Sequence, residues 1–168
     1  MSIKQNLQQG FTLLEVMIAF FILGVGLLGL GALSGQSVQI NQNAFYRTQA
    51  AMIAQDIADR IRANYEDRGV NYIGKSGLKS ANCVSNSGYA GGCTPAEMAA
   101  NDLFDVEQSA SQQLPGGQVL VCGDKTPNDG TSVGSAECSG ALTDIVIKVF
   151  WDGDRDGEPE QRFVMRLW

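Results

Sequence analysis

A long apolar run near the N-terminus is the feature that most constrains how this chain can fold. It comprises residues 11–33, FTLLEVMIAFFILGVGLLGLGAL, and holds no charged residue from Val16 to Leu33. About 18 to 20 apolar residues are enough to cross a bilayer as a helix. We therefore expect residues 11–33 to form a transmembrane helix, which follows a short polar leader of residues 1–10.

Glu15 is the one charged residue inside this run. A charge at membrane depth costs a few kcal/mol and is best retained where it has a partner. If the chain were cut after Gly10, Phe11 would carry a free amino group, which is positively charged near neutral pH. That amine would lie one helical turn from Glu15, in the same chain or in a neighbouring one. We predict cleavage between Gly10 and Phe11, and we predict that Glu15 is an assembly contact between chains.

The composition disfavours several classes of function. The chain has 168 residues, a formal net charge of -6 and no histidine. An acidic chain with scattered cations argues against nucleic-acid binding, because phosphate binding needs a basic face. The lack of histidine removes the commonest general base. We therefore disfavour a membrane-anchored periplasmic enzyme as the function of this chain, although it stays an alternative.

Helical periodicity continues beyond residue 33. Apolar residues recur at steps of three and four, and no proline interrupts them, so we predict one helix from about residue 11 to about residue 65. Its second half is amphipathic. The predicted apolar face comprises Phe45, Gln49, Met52, Ile53, Ile57, Ile61 and Tyr65.

The rest of the chain predicts a small α+β domain. Residues 67–94 are rich in Gly, Ser and Asn and are typical of a loop. Thr94, followed by Pro95 and Glu97, indicates the start of a helix over about 95–113. Three strands are expected, and the last two should form a hairpin. They are QVLVC (118–122), DIVIKVFW (144–151) and QRFVMRLW (161–168).

The four cysteines are Cys83, Cys93, Cys122 and Cys138, and all of them follow the apolar run. An even number beyond a membrane-entry segment favours disulfides formed in an oxidising compartment. We predict sequential pairing, Cys83 with Cys93 and Cys122 with Cys138, which would close two surface loops. A zinc site is the competing interpretation, but the cysteines lack C-x-x-C spacing and there is no histidine to assist them.

Two clusters of charge have competing interpretations. Asp152, Asp154 and Asp156 match the first half of a calcium loop, D-x-D-x-D-G, but the twelfth position is Phe163 rather than a bidentate glutamate. We favour a charged hairpin turn there, and we predict no cofactor, with calcium as the alternative. On the predicted long helix, four residues at helical spacing form either a solvated face or a side-to-side contact with another subunit. They are Asp56, Asp59, Arg60 and Arg62.

The leader, the Gly10–Phe11 junction, the TLLE sequence and the apolar run together resemble the signal of type IV pilins and pseudopilins. The resemblance implies cleavage by prepilin peptidase, N-methylation of Phe11, and a type IV pilin fold in which the long helix packs on a small antiparallel sheet. It also implies a single-pass inner-membrane protein with residues 34–168 as a periplasmic domain, later incorporated into a pilus at the cell surface. A generic signal anchor, or a secretory signal cut near Ala32-Leu33-Ser34, is disfavoured by Glu15.

Three further segments resemble the V-type minor pilins, also called type IV pilus modification protein V. They are GVGLLGL (24–30), AFYRTQAAMIAQDIADRIRAN (44–64) and VFWD (149–152). This resemblance implies a minor pilin that joins other minor pilins and the major pilin, primes pilus assembly and forms part of the tip complex. A Y-type tip adhesin is the further implied partner. A type II secretion pseudopilin shares the leader and the helix, and stays open as an alternative.

Overall fold

The computed structural model describes residues 12–67, 69–79, 83, 92–140 and 143–167. The chain divides into two compact units, with the boundary between Gln42 and Asn43. Helix α1 spans Leu13–Ala63 and contributes to both units. The one long helix predicted from the periodicity is therefore confirmed.

The N-terminal unit consists of the first part of α1. Every large apolar side chain of α1 from Leu13 to Leu33 is exposed in this structure. Within the described part of the chain, α1 is the one helix long and apolar enough to cross a membrane.

The second unit combines the rest of α1 with a second helix and a sheet. Helix α2 spans Pro95–Gln113, and strands β1, β2 and β3 span Gln118–Gly123, Ile145–Trp151 and Gln161–Arg166. Two short 3₁₀ helices cover Val70–Tyr72 and Val133–Ser135. The strands are antiparallel in the order β1-β2-β3, so the α+β class and the β2–β3 hairpin are confirmed.

Helix α2 begins where its capping signals predict. Thr94 and Glu97 form a capping box, and Pro95 occupies the first turn, where its missing N–H has no helical partner to lose. The helix ends before Leu114 and Pro115. Its bounds agree with the predicted range of 95–113.

The hydrophobic core lies between the helices and one face of the sheet. Alternate residues of β2, from Ile145 to Trp151, belong to this core with residues of both helices. The stripe of α1 that enters it comprises Ala50, Ile53, Ala54, Ile57, Ala58 and Ile61.

This stripe differs from the predicted apolar face. Ile53, Ile57 and Ile61 are buried as expected, but Phe45, Met52 and Tyr65 are 56%, 49% and 75% exposed. Three alanines, Ala50, Ala54 and Ala58, lie beside the isoleucines instead. Because α1 presents only one stripe to the core, apolar residues beyond that stripe stay exposed whatever their hydrophobicity.

Candidate assembly site

The first turn of α1 carries the charged residue that the sequence singled out. The Glu15 backbone N–H donates to Thr12 Oγ1 at 3.3 Å, so Thr12 caps the helix from the residue before Leu13. The T-x-x-E spacing could have predicted this cap from the sequence. An acidic residue in the first turn also interacts favourably with the helix dipole. Gly10 and Phe11 lie outside the described residues, so the amine pairing stays a prediction.

Glu15 is surrounded by exposed apolar surface. Its neighbours on both sides, Leu14 and Val16, are 67% and 42% exposed, and Glu15 itself is exposed. Its carboxylate forms no ion pair with any residue in the described ranges. Contiguous exposed apolar surface of this extent marks a surface made for lipid or for other protein segments.

Arg60 has a role that neither sequence interpretation anticipated. Its Nε donates to Asp56 at 3.0 Å, and its Nη1 donates to Asp102 of α2 at 3.1 Å. Arg60 therefore joins the two helices within the subunit and is not simply part of a solvated face. Arg62 and Asp59, 2.9 Å apart, remain an exposed pair.

Asp102 extends this contact into the core. The Tyr72 hydroxyl donates to Asp102 Oδ2 at 2.7 Å, and Asn64 Nδ2 donates to the same hydroxyl at 3.2 Å. Burial raises the pKa of Tyr72, and the neighbouring Asp102 carboxylate raises it further. The hydroxyl consequently stays protonated and keeps donating to Asp102. This network fixes the end of α1 against α2.

Lys148 is the buried charge that the sequence analysis passed over. It lies in the middle of β2 and is fully buried, 2.7 Å from Asp124 and 2.9 Å from Asp129. It also donates to the carbonyl oxygens of Asp129 at 3.1 Å and Ala136 at 2.6 Å. The sequence feature that could have predicted this buried charge is the single lysine within the otherwise apolar strand sequence IVIKVFW.

The Lys148 contacts also control the titration of both aspartates. Burial alone would raise the pKa of Asp124, but the bond and charge of Lys148, together with backbone hydrogen bonds from Thr126 and Ser139, outweigh it and hold that pKa below its usual value. The bond to Lys148 lowers the pKa of Asp129 in the same way. Both carboxylates are therefore ionised at neutral pH, and they tie the 123–140 loop to the central strand.

Two disulfides also fasten loops of the globular unit. Cys83 is bonded to Cys93, and Cys122 is bonded to Cys138. The second disulfide joins the end of β1 to the loop that Lys148 holds. A disulfide that closes a loop of about 15 residues contributes roughly 3 kcal/mol in the chain-entropy model. The cysteines thus serve as crosslinks in this structure, and not as the zinc ligands of the competing interpretation.

The acidic turn between β2 and β3 uses its carboxylates to hold its own backbone. Asp152 accepts hydrogen bonds from the backbone N–H groups of Arg155 and Gly157, and Glu160 accepts one from Gly153 at 3.1 Å. Burial would raise the pKa of Asp152, but these backbone bonds outweigh it and lower that pKa. The pKa of Asp154 is raised by partial desolvation and by its acidic neighbours.

Four carboxylates in this turn nevertheless lie close together. One oxygen from each lies within 4.8 Å of the others, and the four residues are Asp152, Asp154, Asp156 and Glu160. Exposed acidic groups commonly cluster in this way without a metal ion. The hydrogen bonds support the charged-turn interpretation, and calcium binding stays an open prediction.

Two family models match consecutive parts of the chain. Residues 5–31 match the prokaryotic N-terminal methylation motif, and residues 32–104 match the type IV pilin Tt1218 model. No curated protein and no solved structure matches the chain significantly. The methylation motif implies processing by prepilin peptidase, and the apolar helix of a prepilin is consistent with membrane anchoring and pilus assembly. The motif, the pilin region and the α+β fold follow one another in one sequence, so this chain is similar over residues 5–104 to the type IV pilins, a family of structural, non-enzymatic proteins.

Proposed function

We propose that this chain is a minor pilin that joins other minor pilins, primes type IV pilus assembly and forms part of the pilus tip complex. Residues 1–10 are the leader, residues 11–33 are the membrane and assembly helix, and residues 34–168 are the periplasmic domain. Prepilin peptidase cleaves after Gly10, and Phe11 becomes N-methylated. The subunit is held in the inner membrane before it enters the pilus, where it contacts the major pilin and a Y-type tip adhesin.

Glu15 is the observation that carries this proposal. Its carboxylate lies in the first turn of an apolar helix and forms no ion pair with the residues described here. Such a charge is unfavourable in lipid by a few kcal/mol. The N-terminal amine of a neighbouring processed pilin would offset that free energy, and would set the axial position of one subunit against the next.

The resemblance of residues 44–64 to V-type minor pilins supports a minor role over that of a major pilin. The structure adds that this segment is the part of α1 packed into the core. The residues of this segment are therefore constrained by packing within the globular unit as well as by contacts with neighbouring subunits.

A Glu15→Gln exchange in the source organism tests the assembly role. We expect normal processing and membrane insertion, because removal of the charge makes insertion easier. Incorporation should fall, since the amine of the neighbour loses its partner. The measurement is the amount of the variant in sheared pili relative to the membrane fraction. Glu66→Gln, an exposed acid beyond the end of α1, is the matched control.

Wild-type amounts of the Glu15→Gln variant in sheared pili would contradict the assembly role. Deletion of the gene separates a pilus subunit from a secretion subunit. We expect fewer surface pili and the co-purification of other minor pilins with the restored protein. Normal piliation combined with a loss of secreted proteins would instead identify a type II secretion pseudopilin.

A further inference from the structure

The two outer strands of the sheet differ in how their free edges are covered. Both β1 and β3 have a neighbouring strand on one side only, because the strand order is β1-β2-β3. On β1, the carbonyl oxygens of Val121 and Gly123 accept hydrogen bonds from the backbone N–H groups of Gly74 and Gly140, each at 2.8 Å. The free edge of β1 is therefore partly paired by other segments of the same domain.

The free edge of β3 has no such cover in the part of the chain that the structure describes. The Leu167 N–H donates to the Ile145 carbonyl oxygen at 2.9 Å, so the backbone N–H of Leu167 points towards β2. Backbone groups alternate in direction along an antiparallel strand, so those of Arg162, Val164 and Arg166 point away from β2. These outward N–H and C=O groups have no hydrogen-bond partner among the described residues.

Strand β3 also lacks most of the features that keep an open edge from pairing. Natural proteins protect such edges with bulges, proline or charged side chains, because an unpaired edge is a template for another strand. The six residues of β3 pair one for one with β2, without a bulge, and they include no proline. Its two arginines are the one protective feature that remains.

These arginines disfavour pairing of β3 with a second copy of itself. Arg162 and Arg166 lie on the same face as Val164, because side chains two residues apart share a face of a sheet. The antiparallel register that pairs all three outward residues with a second copy would place Arg162 opposite Arg166. Like charges directly opposite one another are destabilising, so a strand of different sequence fits this edge better.

The positive charge on this edge is only partly neutralised within the domain. Arg162 donates to neutral acceptors, the carbonyl oxygens of Asn128 and Gly130. Arg166 lies 3.5 Å from Asp144, and the Arg166 side chain is 50% exposed. A neighbouring strand with an acidic side chain opposite each arginine would complement both charges.

We propose that the free edge of β3 binds an extended segment of another protein chain, which adds to the sheet as a fourth, antiparallel strand. The segment has an acidic residue opposite each arginine and an apolar residue opposite Val164. Main-chain hydrogen bonds supply the affinity of such a contact, and the alternate side chains supply its specificity. This contact is separate from that of Glu15, and the identification of the partner as another pilus subunit rests on the function proposed above.

A titration of the ¹⁵N-labelled full chain in detergent tests this contact. The probe is the synthetic peptide SETVTES with blocked ends, whose two glutamates and central valine lie on one face of an extended strand. It should shift the backbone amide resonances of Arg162, Val164 and Arg166 saturably. The counterpart SKTVTKS should bind about tenfold more weakly, because each attractive cross-strand charge pair becomes a repulsive one.

Two controls test whether binding occurs through the strand edge. A SETVTES peptide methylated on the backbone nitrogen of its valine lacks the central N–H that donates to β3, and it should not bind. Val164→Pro removes the outward N–H of β3 and should also abolish binding, since proline is compatible with an edge position whose N–H does not face the ladder. Val164→Ala keeps that N–H and should bind as the parent does. Urea unfolding shows whether the proline variant is folded, and the methylated peptide gives the answer without any change to the protein.

The proposal would be overturned by any of three results. One is the absence of a saturable shift with SETVTES. Another is equal binding of SETVTES and SKTVTKS, which would show that the edge does not select an acidic strand. The third is unchanged binding of the methylated peptide, which would place the contact away from the strand edge. Peptide binding needs no pilus, so these results are independent of the Glu15→Gln test of the proposed function.

Discussion

Replacement of Lys148 by methionine should destabilise the globular unit severely. Methionine matches the unbranched aliphatic stem but removes the ammonium group, with its bonds to Asp124, Asp129 and Ala136. Asp124 is fully buried and would lose its charged partner, keeping only the bonds from Thr126 and from the backbone of Ser139. Breaking a buried pair in this way costs about 3–5 kcal/mol. Domains of this kind are stable by roughly 5–15 kcal/mol, so the loss would be a large fraction of the whole.

Urea unfolding of the full chain in detergent measures this loss. The fluorescence of Trp151 is a suitable probe, because this residue is buried at the end of the strand that carries Lys148. Lys125→Met, an exposed lysine in the adjacent loop, is the matched control and should change the unfolding free energy by less than about 0.5 kcal/mol. Asp129→Asn should cost much less than Lys148→Met, since the Asp129 side chain is 38% exposed and solvent screens its charge.

The double variant Lys148→Met/Asp124→Leu distinguishes a charge effect from a packing effect. If the cost of Lys148→Met comes from the unpaired carboxylate, removal of that carboxylate should recover most of the lost stability. A Lys148→Met variant within about 1 kcal/mol of the parent would refute the reasoning. Strict additivity of the two substitutions would refute it equally.

The pH dependence of stability should reverse sign between the parent and Lys148→Met. In the parent, the pKa values of Asp124 and Asp129 are lowered by Lys148. Their contribution is therefore complete above about pH 4 and is lost as the pH falls below that value. Without Lys148, burial should raise the pKa of Asp124, and stability should increase as the pH falls through that raised pKa towards the ordinary aspartate value of about 4.

Three further outcomes are expected. The intact mass of protein from its host should show loss of residues 1–10 and one added methyl group; a mature start at Gly35 would contradict cleavage between Gly10 and Phe11. Arg60→Ala should lower the unfolding free energy by about 1–2 kcal/mol, because it removes the charged bond from α1 to α2, whereas Arg62→Ala should have almost no effect in the same urea assay. Calorimetric titration should show calcium binding that is absent or no tighter than about millimolar. Micromolar binding that Asp154→Asn abolishes would show that the acidic turn is a metal site.

Local patterns in the sequence were sufficient to predict most of the elements. Thr94 and Glu97 act across one helical turn, so the start of α2 could be predicted directly. The β2–β3 hairpin was equally predictable, because alternation and turn residues act between neighbours. The apolar run and Glu15 predicted a membrane helix with an assembly contact, since a charge inside an apolar helix is unfavourable in lipid unless a partner offsets it, and the resemblance of the leader and the TLLE sequence pointed to a prepilin.

Only the tertiary structure showed which residues from different elements contact one another. Arg60 and Asp102 are 42 residues apart, and Lys148 and Asp124 are 24 apart, so no local pattern predicts either contact. Periodicity identified an apolar side of α1, but it could not show that Ala50, Ala54 and Ala58 would be buried and Met52 exposed. Which residues of that side are buried depends on where the rest of the domain packs against the helix.

The contacts of Arg60 and Lys148 both depend on the packing of elements that lie far apart in the chain. Asp102 lies on α2 and Asp124 follows β1, and only the folded domain brings them to Arg60 of α1 and Lys148 of β2. The sequence determined the elements because helices and turns are specified over a few residues, whereas these contacts depend on distances between elements far apart in the chain.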